Sequence, residues 1–95
     1  MSLETLRHLR NEILALASKH GVRNVRVFGS IARGDSRVDS DIDLLVDVEP
    51  NRTLLDIIAL EQDLEQLLGA SVEVLTERGL SPYLARQIVA EAAAL

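Results

Sequence analysis

The chain contains no cysteine, so disulfides, zinc–thiolate centres and cysteine nucleophiles are all excluded. Its imidazoles are limited to His8 and His20, which are not spaced as an HExxH-type metal motif. Aromatic residues are almost absent, with one phenylalanine and one tyrosine, so the core must be built from Leu, Ile, Val and Ala. No apolar run approaches the roughly 20 residues of a membrane span, and no basic leader precedes one, so the cytoplasm is the expected location. Positive charge is also scarce. A formal charge of −5 and the lack of basic runs interleaved with aromatics argue against direct nucleic-acid binding.

What is present fits one domain spanning 1–95, long enough for a sheet covered by helices but too short for two cores. Leu6, Leu9, Ile13, Leu14 and Ala17 recur at helical spacing and predict a helix over Leu3–Lys19 capped by Ser2, with His20-Gly21 as its stop. Val22, Val25, Val27 and Phe28 form a β-rich segment that runs into Gly29-Ser30, a turn with room for a short helix. Strict alternation over Asp41–Val48 predicts a strand with Ile42, Leu44, Val46 and Val48 on one face, and Asp41, Asp43, Leu45 and Asp47 on the other. A helix from about Thr53 to Gly69, a strand over Ser71–Leu75 and a last helix started by Ser81-Pro82 complete the order. The expected fold is α/β (α+β), a small mixed sheet of three or slightly more strands backed by helices.

Asp41 and Asp43 emerge on the same strand face, with α-carbons about 6 to 7 Å apart. Two ionised carboxylates so close repel each other, and a divalent cation removes that penalty. Magnesium takes hard oxygen ligands and commonly combines one or two carboxylates with its substrate's phosphates. If Ser71–Leu75 pairs beside Asp41–Val48, Glu73 joins the same face. There it would bind a second ion or accept a proton from an attacking hydroxyl; the alternative is a solvated glutamate on an edge strand. Upstream, Gly29 permits close backbone approach to a phosphate, and the Ser30 hydroxyl can bond a phosphate oxygen. Arg33 either adds positive charge for the phosphates or pairs with Asp35 or Asp39 to shape the loop. Neither a Walker A loop nor GxGxxG is present.

Gly29-Ser30-Ile31-Ala32-Arg33-Gly34, followed by Ser40-Asp41-Ile42-Asp43-Leu44-Leu45-Val46, resembles the signature of the minimal nucleotidyltransferase family in the polymerase β-like superfamily. The resemblance implies metal-dependent transfer of a nucleoside monophosphate to a hydroxyl, with pyrophosphate leaving. Residues matching Gly29 and Ser30 hold the triphosphate, and those matching Asp41 and Asp43 hold Mg²⁺. The third acidic position is usually aspartate; its best match here is Glu73, whose extra methylene displaces the carboxylate by about an ångström. Small proteins of this family resemble antitoxins paired with all-helical HEPN nucleases, which some of them silence by attaching AMP from ATP to a tyrosine. The resemblance therefore implies ATP as donor and a HEPN-type toxin as partner. Two alternatives remain: a weak or inactive nucleotide binder that acts by occlusion, and a transferase for a small molecule.

Other residues carry plainer expectations. Asp35, Asp39 and Asp47 are expected to solubilise or shape turns, Arg26 to make a structural contact, Phe28 to enter the core, and His8 and His20 to cap or compensate the first helix. Tyr83 is expected to pack or face a partner. The small apolar residues Ala90 and Ala92–Leu95 either complete the core or make a close helix interface, including one with a second copy of the chain.

Overall fold

In the computed structural model, residues 1–37 and 40–95 are described. The expectation for Asp39 lies outside them. Ser2 caps the first helix, α1 (Leu3–His8), its hydroxyl accepting from the Thr5 N–H at 3.1 Å. The helix does not run through to Lys19 as the periodicity predicts. It breaks at Leu9, and α2 (Arg10–Lys19) starts from there. Periodicity gives no sign of the break, because the residue at the break is itself apolar and Leu6, Ile13 and Ala17 still reach one core.

Strand β1 (Val22–Phe28) pairs antiparallel with β2 (Ile42–Val48), with a register shift between Arg23 and Arg26. At that bulge Asn24 takes a positive φ of 53°, a conformation asparagine tolerates better than most residues. The bulge lets Val22 and Val25, three apart, face the same core that Val27 then rejoins. Asp47 holds the bulge, accepting from Asn24 Nδ2 at 3.0 Å and from Arg26 Nη2 at 3.3 Å. Arg26 thus has the structural role expected of it.

The 15-residue helix α4 (Leu54–Leu68) starts at Thr53, whose backbone N–H donates to Asp56 Oδ2 at 2.9 Å, and ends at Gly69. It carries the chain over to β3 (Val72–Thr76), which pairs parallel with β2. Two glutamates of α4 reach the free rim of β3: Glu65 accepts the Val72 N–H at 3.0 Å and Glu61 accepts the Val74 N–H at 2.8 Å. The rim of this edge strand is thus covered by side chains of α4.

A short 3₁₀ turn (Glu77–Gly79) leads to α5 (Pro82–Glu91), capped by Ser81. The predicted helix to the end of the chain stops earlier, since Ala93–Ala94 form β4 against Arg26–Val27 of β1. Alanine by itself favours helix, so pairing with the free rim of β1 overrides local preference here. The sheet order is β3-β2-β1-β4, a mixed sheet as expected.

The core lies on one sheet face. Val22, Val25, Val27, Ile42, Leu44, Val46, Val72 and Val74 pack against Leu6, Ile13, Ala17, Leu60, Leu64 and Leu68 of α1, α2 and α4. Alternation turns Asp43 and Leu45 to the opposite face, where Leu45 is nevertheless 0 % exposed. Phe28 is buried as expected, but outside the main cluster. Among the described residues no helix is long and apolar enough to cross a membrane.

Candidate functional site

Phe28 is the last residue of β1, and the chain turns at once into α3 (Gly29–Arg33). The turn needs Gly29, whose φ is +77°. A second constraint applies there: a Cβ on Gly29 would overlap the Asp43 carboxylate oxygen Oδ2. The reason lies in the register, because Phe28 sits opposite Asp43 and the next residue is therefore level with that carboxylate. Ser30 follows, half-buried, in the first turn of α3, and Gly34 in the left-handed region ends it.

On the other side of Asp43 is Glu73, its register partner on β3, about 4.8 Å away by sheet spacing. Asp41 is exposed just ahead of β2, two residues before Asp43. The three acidic residues singled out from sequence thus border one strand end. Their charges are felt at Asp43, whose carboxyl is raised above its usual range first by burial, then by Glu73 and Asp41. Arg33 acts in the opposite direction and Glu91 adds to the rise. Uncompensated negative charge of this kind favours a hard cation. Asp41 and Asp43 supply suitable oxygen donors, although among the described residues no three His, Asp or Glu side chains cluster tightly enough to hold a metal alone.

Arg33 is engaged. It pairs with Glu91, Nη1 to Oε2 at 3.2 Å, and with Asp35, Nε to Oδ2 at 3.5 Å, and both contacts hold its guanidinium above its ordinary pKa. Of the two partners expected for it, Asp35 is present. Glu91 was not foreseen. Gly29 also donates its N–H to Glu91 Oε1 at 2.8 Å. Nothing in the local pattern of α5 marks a residue 62 positions from the turn; only pairing of β4 beside β1 brings it there.

Elsewhere, His20 Nε2 lies 2.7 Å from Asp63 Oδ2 and ties the end of α2 to α4, while Tyr83 is exposed on α5. A groove of about 580 Å³ opens at the far end of β2, lined by Arg23, Asp47, Arg52, Thr53 and Arg78 among others. It includes none of Gly29, Ser30, Arg33, Asp41, Asp43 or Glu73.

The family described as nucleotidyltransferase domain matches residues 6–95. The protein adenylyltransferase MntA of Thermococcus cleftensis is 38% identical over 95 residues, covering 96% of this chain and 96% of that protein. A solved structure provisionally named a minimal nucleotidyltransferase is 54% identical with a TM-score of 0.89, covering 100% of this chain and 97% of that one. A toxin–antitoxin crystal structure with AMP-PNP contains a chain 26% identical, with a TM-score of 0.76 over 88% of this chain and 69% of that one. The match over residues 6–95 and these likenesses in sequence and fold show that the chain belongs to the nucleotidyltransferase domain family in its minimal, polymerase β-like form.

Proposed function

We propose that the chain moves AMP from ATP to a protein hydroxyl, a tyrosine of a HEPN-type toxin, and so serves as the antitoxin of that pair. The observation that carries the reading is the close approach of the Asp43 carboxylate to the turn at Gly29, which leaves no room there for a Cβ. The names of its relatives support the chemistry: one is a protein adenylyltransferase, and another was crystallised as a toxin–antitoxin pair with an ATP analogue.

In this reading the Gly29 amide, the Ser30 hydroxyl and the Arg33 guanidinium receive the β- and γ-phosphates. Asp41 and Asp43 would hold Mg²⁺, which when bound offsets charge developing on the phosphate oxygens. The acceptor oxygen attacks the α-phosphorus, the bond from that phosphorus to the bridging oxygen breaks, and pyrophosphate leaves with the electron pair. Glu73, one strand over, accepts the hydroxyl proton or serves a second ion. The exposed position of Glu73 also favours a second reading, in which turnover is weak and the toxin is blocked by occlusion.

Mass spectrometry of the toxin after incubation with this chain, ATP and Mg²⁺ tests both readings. The expected result is a gain of AMP that Asp43→Asn abolishes. No gain with any nucleotide or divalent ion, while toxin inhibition survives Asp41→Asn with Asp43→Asn, would leave occlusion as the function.

A further inference from the structure

The two clearest donors at the phosphate turn are the Gly29 amide and the Arg33 guanidinium, and one carboxylate takes both. Glu91 Oε1 accepts from the Gly29 N–H at 2.8 Å and from Arg33 Nη1 at 3.3 Å, and Oε2 lies 3.2 Å from the same Nη1. Two oxygens bridging a backbone amide and a guanidinium reproduce the way non-bridging phosphate oxygens are bound. Glu91 also adds negative charge beside Asp43, next to Asp41 and Glu73. With both donors occupied, and Glu91 added to the three acidic groups already at this strand end, a triphosphate has to displace the Glu91 carboxylate to reach the turn.

From this geometry we infer that Glu91 is an internal placeholder for the triphosphate, and that nucleotide enters only as this side chain is released. The inference rests on the turn being the triphosphate site. The backbone beyond Glu91 is fixed independently: Ala93 and Ala94 pair with Val27 and Arg26, and the Ala94 carbonyl accepts from Arg7 Nη2 at 2.9 Å. Release therefore takes a swing of one side chain rather than loss of β4. A site populated only when Glu91 is away binds more weakly in proportion to that fraction, so neutralising the carboxylate strengthens binding.

Isothermal titration of a non-hydrolysable ATP analogue with Mg²⁺ into the full chain, Glu91→Gln and Glu91→Ala tests it. Both variants are expected to bind about tenfold more tightly than the parent, and tripolyphosphate, which lacks a base, should show the same gain. Equal or weaker binding by Glu91→Gln, with a melting temperature matching the parent's, overturns the inference and leaves the site reading intact. If parent and variants all fail to bind either probe, the triphosphate reading falls and the inference falls with it.

Discussion

Gly29 and Gly69 both hold left-handed backbone, at φ +77° and +68°, yet their surroundings differ. A Cβ at Gly69 meets nothing within 4 Å, whereas one at Gly29 meets the Asp43 carboxylate. Gly69→Ala should therefore cost only the backbone term, about 1 kcal/mol. Gly29→Ala adds displacement of Asp43 and should cost about 3 kcal/mol while removing transfer activity. Urea denaturation of both variants, with a transfer assay on each, checks the pair; equal costs would mean that Asp43 yields freely. The glycine, serine and aspartates were legible as residues because each is defined by local spacing. Glu91 was not legible, since its position depends on a strand pairing between distant segments.

Among the elements, β3 is placed by more than its pairing with β2. Its outer amides at Val72 and Val74 are taken by Glu65 and Glu61, so α4 fixes both the height of the strand and its rim. Glu61→Ala leaves the Val74 amide without that acceptor and should destabilise the chain by about 1 to 2 kcal/mol, measured by chemical denaturation. A larger loss of transfer than of stability would show that the register of Glu73 beside Asp43 also depends on it. Sequence patterning found all of the longer elements, because β2 alternates and α4 has a clear apolar stripe. It missed the break at Leu9 and the strand at Ala93–Ala94. Apolar spacing is blind to a bend that preserves the buried face, and short alanine segments follow whichever partner offers hydrogen bonds.

For the whole molecule, carboxylates shifted in opposite directions contribute opposing terms to acid stability. Asp63 is held below its usual pKa by the hydrogen bond with His20, and Asp56 by the Thr53 backbone N–H. Groups lowered in this way contribute stability that is present above the unfolded-state value and lost as pH falls through the folded one. Asp43 is raised, chiefly by burial, and runs the other way: its penalty appears as pH rises through its folded value. The parent should lose melting temperature on acidification below about pH 4, and Asp63→Asn combined with Asp56→Asn should flatten that acid limb. An unchanged slope in the double variant would assign acid sensitivity elsewhere.

The tight fit of Asp43 against Gly29 also bears on how such chains diverge. Any side chain at position 29 competes for the space of the carboxylate at 43, so the two positions form one heritable unit. A lineage that keeps the aspartate is bound to keep the glycine, and one that loses the aspartate lifts the steric half of that constraint, leaving only the cost of a side chain in left-handed backbone. Degenerate, non-catalytic descendants should therefore show the change at 43 first and the change at 29 only afterwards.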